Sequence, residues 1–360
     1  MSDSALPFPF KRQAPITAMA LVASIHKIHI ETIEDYLRQF GALGYAKTIA
    51  TGGLKPGQED KVLRLPSANI AKSIKISAGD YAIYWNWQKT KVVYDVEPTL
   101  MHSLADMDTS DVLPGGVLRQ LPHPDPLFVF TEGYPIMHKD EKPGLLRAMY
   151  VSGRRADNTS CSTSDPEVTQ YQLTFNSDLV NDDGEVIDLD SVRISIHLAD
   201  HSFTIRKVID EVIKDYPWEP LMVDRSSEEQ KRNYLEALAH FGVAHLLYVC
   251  SEKADTQRKP VGRKPAKKGQ RPPRPVQLHQ VGWHIGPSIK ATRELIERER
   301  RAMGHNTGRT VTPHIRKAHL HTFKHGPGRT LSKVKWLPPI FVRANGEQIH
   351  TDGTIVPVTR

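Results

Sequence analysis

The stretch LRAMYVSGRRADNTSCSTSDPEVTQYQLTFNSDLVNDDGEVIDLDSVRISIHL, residues 146–198, decides the fold class. Three of its segments, LRAMYVS, VTQYQLTF and VRISIHL, have strand length and are rich in β-branched and aromatic residues. The connections between them, ADNTSCSTSDP and the acidic NSDLVNDDGEVIDLD, read as turn-rich linkers. Strands joined in this way are expected to pair antiparallel, since a parallel pair needs a crossover. Asp182, Asp183, Glu185, Asp188 and Asp190 lack the spacing of a helix-loop-helix calcium site and read as a solvated acidic turn.

Helical patterns flank this centre. Ile25, Ile28, Ile33, Tyr36, Leu37 and Phe40 recur every three or four residues, which predicts a helix from about 20 to 40. His26 and His29 lie on it without an evident third metal ligand, so they read as ordinary helix residues. Gly41, Gly44, Gly52 and Gly53 break the pattern. A second helix is expected over 67–89, with Tyr81, Tyr84 and Trp85 on one face as core, or alternatively as a platform for bases. VVYDV (92–96) reads as a short strand, and LPGGVLRQLPHPDPLFVF (113–130) as a loop, one helical turn and a buried strand. Downstream, TIRKVIDEVIKDY (204–216) puts Ile205, Val208, Ile209, Val212 and Ile213 on one face. A further helix, capped at Ser226 or Ser227 with an acidic residue downstream, runs through YLEALAHFGVAHLLYVC to about Glu252. The fold class is therefore α+β, with a helical N-terminal part, a central antiparallel sheet with helices, and a basic β-hairpin near the C-terminus.

The chain of 360 residues, 39% of them hydrophobic, has room for one large domain or two ordinary ones. No apolar run approaches the ~20 residues of a membrane span. AMALVAS, after Lys11 and Arg12, is too short and too poorly flanked for a signal peptide. Cys161 and Cys250 lie far apart, form no metal pattern and require no oxidising compartment. A cytoplasmic protein is expected, with no cofactor and no metal.

The net charge of +7 divides unevenly. Residues 256–360 carry 22 Lys and Arg against 5 acids, or +17, and residues 1–255 carry 26 against 36, or −10. This suggests an acidic body over 19–255, after a flexible N-terminus at 1–18, and a basic device that meets a polyanion. Basic tails that merely improve solubility are the plainer reading. Residues 256–278, TQRKPVGRKPAKKGQRPPRPVQL, contain no acid and five prolines, and read as an extended linker. Its Arg263, Lys264, Lys267, Lys268 and Arg271 are candidate phosphate contacts. VGWHIG (281–286) then reads as a strand, and Ser288 to Met303 as a charged helix, within a C-terminal module over 279–360.

PHIRKAHLHTFKHGPGRTLSKVKWLPPIFVR (313–343) closes the basic part. PHIRKAHLHTFKH alternates with period two, GPGR is a turn signal, and TLSKVKWLPPIFV reads as a return strand, so a hairpin is expected. His319, His321, Phe323 and His325 share one face. Arg316, Leu320 and Lys324 share the other with His314. RNA cleavage by the cyclising route needs a base, an acid and a cation for the phosphorane charge, and histidine suits both proton roles. The candidate catalytic set is His314, Arg316, His319, His321, Arg329 and Lys335. The nucleic-acid-binding candidates here are Lys317, Lys324, Lys333 and Trp336. Plain RNA or DNA binding, a His-only metal site through His314, His319 and His321, and a structural hairpin remain open beside cleavage.

Three stretches carry a family resemblance: VLPGGVLRQLPHPDPLFVF (112–130), AHLLYVCSEKAD (244–255) and HIRKAHLHTFKHGPGRTLSKVKWLPPIFV (314–342). They resemble the type V-A anti-CRISPR proteins of phages and plasmids, which lower expression of the CRISPR effector nuclease. The family has Arg-Arg-x-His-Trp around its second histidine, where this chain has Arg316-Lys317-Ala318-His319-Leu320 and lacks the aromatic. The resemblance implies recognition of the effector's nascent N-terminal peptide at the ribosome, followed by loss of its mRNA. The acidic body would face the peptide and the basic third the RNA. Whether RNA is cleaved directly or through a recruited nuclease stays open. The alternative is a phage or plasmid maintenance or regulatory protein that binds nucleic acid without catalysis.

Overall fold

The computed structural model describes residues 17–51, 53, 68–139, 141–181, 185–216, 227–261, 274–303, 314–342, 348–349 and 355–356. The chain opens with α1 (Ala18–Ile25), a π-helical turn (His26–Glu31), α2 (Thr32–Gln39) and α3 (Leu43–Ala50). Gly41, at φ 64°, ends α2 in a left-handed conformation that favours glycine. The long α4 (Ala68–Thr90) then leads into β1 (Val92–Val96). Tyr81 and Tyr84 of α4 are buried and Trp85 is half-buried against the cluster around Tyr81, so this face serves as core and not as a platform for bases.

The main sheet is built on β1, β3 (Leu127–Met137), β4 (Pro143–Arg155), β6 (Val168–Val180), β7 (Val186–His197), β9 (Thr256–Lys259) and β10 (Gln277–Val281). Its order is β7-β6-β4-β3-β1-β10-β9, with β5 (Ser160–Cys161) beside β4. The β3-β4-β6-β7 half is antiparallel, as the central stretch predicts. β1 pairs parallel with both β3 and β10, which makes the whole sheet mixed. The sheet thus draws strands from both sides of Asp255. NSDLVNDDGEVIDLD is mostly strand and not linker, because β6 runs on to Val180 and β7 starts at Val186. The strand expected at 281–286 lies instead at 277–281, and Gly282, at φ 81°, turns the chain into the next helix.

One sheet face packs under α5 (Pro98–Ala105), α6 (Ile205–Asp215) and α7 (Glu228–Cys250), with Tyr94, Phe128, Met149, Leu173, Phe175 and Ile194 in the shared core. Gly242 lets α7 approach closely, since a Cβ there would stand 2.6 Å from Leu173 Cδ1. The other face packs Val93, Leu127, Val129 and Tyr150 against α1 and the end of α4. Ser227 and Gln230 form a reciprocal capping box at the start of α7, with a glutamine in place of the expected acid. The charged helix α8 (Ile285–Met303) begins with its His284 and Ile285 N–H groups donating to Asp255 Oδ2 at 2.8 and 3.0 Å. A two-residue pair, β2 (Val112–Leu113) with β8 (Phe203–Thr204), borders the helical face. β11 (His314–Arg316), β14 (Ile340–Val342), β15 (Gln348–Ile349) and β16 (Ile355–Val356) form a small sheet, and β12 (His319–His325) with β13 (Leu331–Leu337) forms the hairpin. No helix among the described residues is long and apolar enough to cross a membrane.

Candidate nucleic-acid interface

The hairpin has the expected faces. Leu320 pairs with Trp336, Thr322 with Val334 and Lys324 with Ser332, whereas His321 pairs with Lys335 and Phe323 with Lys333. Directly opposed residues leave the same side of a ladder. Leu320, Val334 and Trp336 are therefore on the inner face, and all three are buried in the main core. The Trp336 ring packs edge-on against Tyr248 of α7 with centroids 5.2 Å apart. Trp336, expected among the nucleic-acid contacts, is 5% exposed and cannot stack on a base.

Docking also uses the backbone. Glu252 N–H donates to Val334 O at 2.7 Å, Asp108 N–H to Ala318 O at 3.0 Å, and Thr322 Oγ1 to Val112 O at 3.1 Å. The tie at Ala318, which is itself buried, explains why PHIRKAHLHTFKH is not one strand. The chain breaks at Lys317–Ala318, so β11 pairs with β14 while β12 pairs with β13. Arg316 and Lys317 are exposed, with Arg316 in the small sheet and Lys317 in the break between the two sheets, so neither sits in the histidine-bearing hairpin. His314 lies on β11, with its side chain outside the described residues, as are Arg263, Lys264, Lys267, Lys268 and Arg271.

The outer face carries His319, His321, Phe323 and His325 on β12, opposite Leu337, Lys335, Lys333 and Leu331. Phe323 and Leu331 are 41% and 54% exposed, and the His321 and Phe323 rings meet edge to face at 4.4 Å. Lys333 Nζ is ion-paired with Glu252 at 2.7 Å. The Lys333 hydrogen bond and charge, with Lys253 and His325 nearby, hold the Glu252 carboxyl below its ordinary range. Lys324 Nζ donates to Ser332 Oγ at 2.8 Å, and Arg329, at φ 54°, stands in the tight turn at 326–329. Asp108 lies near His319. The backbone N–H of Ser110 chiefly holds its carboxyl below the ordinary range, and His319 adds to that.

Asp108, Tyr248 and Glu252 are neighbours of the hairpin that sequence spacing does not reveal, being far from it in the chain. The face combines cations for phosphates, an aromatic and an apolar side chain for base faces, and imidazoles for hydrogen bonding or proton transfer. Among the described residues no three His, Cys, Asp or Glu side chains converge as a metal would require.

An α+β protein with a mixed main sheet that presents a cationic, histidine-bearing hairpin docked on its helical layer is thereby defined. The model of the AcrVA2-like family, the anti-CRISPR type V subtype A2 family, matches residues 94–344, and the chain belongs to that family. The match opens within β1, at the first strand of the main sheet, so the N-terminal helices α1–α4 fall outside it. The crystal structure of AcrVA2 is similar at 14% identity and a TM-score of 0.46, covering 92% of this chain and 100% of that one. No curated protein matches the chain.

Proposed function

We propose that this chain lowers the expression of a CRISPR effector nuclease by recognising its N-terminal peptide as it leaves the ribosome and causing loss of the encoding mRNA. The outer face of β12–β13 contacts the RNA. The observation that carries this reading is the division of the hairpin: its inner face is spent on packing, while His321, Phe323, Lys333 and Lys335 stand exposed together on the other. Family membership supplies the anti-CRISPR setting. The peptide falls to the acidic body, whose −10 charge opposes the +17 of the last third.

Cleavage by the hairpin itself is a second reading, favoured by one arrangement. His319 stands beside Asp108, and His321 on the same face stands opposite Lys335, which offers base, acid and cation for the cyclising route.

A reporter message bearing the effector's first codons tests the proposal. It is expected to be lost when those codons are read in frame and to survive when they are frameshifted. Loss that ignores the reading frame refutes peptide recognition. The His319→Ala/His321→Ala variant is expected to spare the message. Purified protein that binds target RNA but leaves it whole assigns the hairpin to binding alone.

A further inference from the structure

A second polar cluster lies at the β9 edge of the main sheet. Tyr94 on β1, His279 on β10 and Arg258 on β9 are partners in one row across three adjacent strands, so their side chains leave the same face. His123 closes over that row. Its Nδ1 lies 2.6 Å from Tyr94 Oη, and its ring centroid lies 4.2 Å from that of His279.

The turn that delivers His123 is fixed in place. Pro122, Pro124 and Pro126 restrict its backbone. Asp125, buried and at φ 46°, accepts from Thr163 N–H at 2.7 Å and from Ser162 Oγ at 2.6 Å. Its own N–H donates to Thr163 Oγ1 at 2.8 Å. This proline-rich stretch has no part in the hairpin, and holding His123 over the row gives it one.

His279 is 7% exposed, and its Nε2 has no hydrogen-bond partner. Buried polar atoms are ordinarily paired. Burial first, then the charges of His123 and Arg258, push the His279 imidazole down to about 4. Burial and then Arg258 lower His123 as well. The groups facing the two imidazoles are Tyr94, Arg258 and, beneath Tyr94, Cys250 of α7. Two imidazoles and a guanidinium thus converge with a phenol and without a balancing carboxylate among the described residues. A divalent cation is the other ligand that paired imidazoles attract, but the guanidinium in the same row repels it.

We propose that His123, His279 and Arg258 form a binding site for a phosphate group, either free or carried on a nucleic acid. The site is distinct from the β12–β13 face and does not rest on the reading given to that face. The anion supplies the acceptor that the cluster lacks and draws protons onto both imidazoles. Tyr94 Oη accepts from His123 Nδ1, leaving Nε2 for the phosphate. Binding therefore weakens as pH rises and the imidazoles lose their protons.

Imidazole proton–nitrogen spectra of the full chain test this at about pH 5, where a tenfold tightening takes His279 from mostly neutral to half protonated. The His123 signal is identified with His123→Asn. Inorganic phosphate, a 5′-phosphorylated RNA oligomer and the same oligomer without that phosphate are titrated at matched ionic strength. At least one is expected to shift both signals saturably and to tighten proton binding about tenfold, which is one pKa unit. Arg258→Gln, at an exposed position, is expected to weaken that binding about tenfold, or one electrostatic contact. Response to free phosphate alone assigns a small anion, response to the phosphorylated oligomer alone assigns a terminal phosphate, and equal response to both oligomers assigns a phosphodiester. The proposal is overturned if no titrant shifts the signals beyond a chloride control, if zinc shifts them and phosphate does not, or if Arg258→Gln binds as tightly as the wild type.

Discussion

Replacing Trp336 separates a core residue from an RNA contact. A tryptophan side chain buries about 150–250 Å², and at about 25 cal/mol per Å² this is worth about 4–6 kcal/mol. That figure is an upper bound, because the unfolded chain already hides part of its apolar surface. The buried Nε1 of Trp336 has no hydrogen-bond partner, which offsets about 1–3 kcal/mol of the gain. Trp336→Ala is therefore expected to cost about 3 kcal/mol, at the low end of measured core truncations. Trp336→Phe keeps a ring against Tyr248 and removes the unpaired N–H, so about 1 kcal/mol or less is expected. Urea unfolding followed by circular dichroism gives both values. Proteolysis at the turn 326–329 reports whether the hairpin has left the core. RNA affinity is measured at a temperature where each variant is folded and is expected to stay within a few-fold of the wild type. If Trp336→Ala leaves stability unchanged while RNA affinity collapses, the ring faces the nucleic acid and the assignment of the two hairpin faces is wrong.

Lys335→Gln is expected to lower the slope of log affinity against log salt by about one for RNA, as one phosphate contact is lost. Lys333→Gln should lower it less, because Glu252 already neutralises that ammonium; equal losses in a salt titration would contradict this. Asp95, 6% exposed with Oδ1 unpaired, has its carboxyl pushed up to about 6 by burial, against an ordinary value of 3.8. Below about pH 3 the group is neutral both folded and unfolded, whereas above about pH 7 it is charged in both and the folded state bears the desolvation. Asp95→Asn is therefore expected to stabilise the fold by about 2–3 kcal/mol at neutral pH and by nothing at pH ~3. Chemical denaturation at the two pH values checks it, and a gain independent of pH would assign the effect to something other than charge.

The parts of the fold that are legible in the sequence rest on short-range rules. Alternation with GPGR specifies the hairpin, the apolar spacing in TIRKVIDEVIKDY specifies α6, and the serine at 227 marks the start of α7. Of the acidic residues that made 176–190 look like a linker, Asp178 lies on β6 and Asp188 and Asp190 lie on β7, the strand at the sheet's edge, where polar side chains are tolerated. The break at Lys317–Ala318 depends on Asp108, about two hundred residues earlier, and no local pattern encodes it. For the hairpin, period two separates the faces but does not say which one meets a core. A tryptophan fits a nucleic acid or a hydrophobic neighbour equally well until α7 supplies Tyr248. The pairing of His123 with His279 was hidden for the same reason, since it joins a turn to a strand more than one hundred and fifty residues away.

The place of β10 has a consequence for how the chain comes into being. Residues 277–281 lie between β1 and β9, matched residue by residue to Val92–Val96. As synthesis proceeds from the N-terminus, β1 must wait for about one hundred and eighty further residues before that flank is covered, and pairings over such separations form slowly. During the wait a run of apolar strand, VVYDV, presents open backbone groups to any passing chain. A fragment ending at Asp255 keeps that edge uncovered permanently. Such a fragment is expected to self-associate, however well its remaining strands are formed.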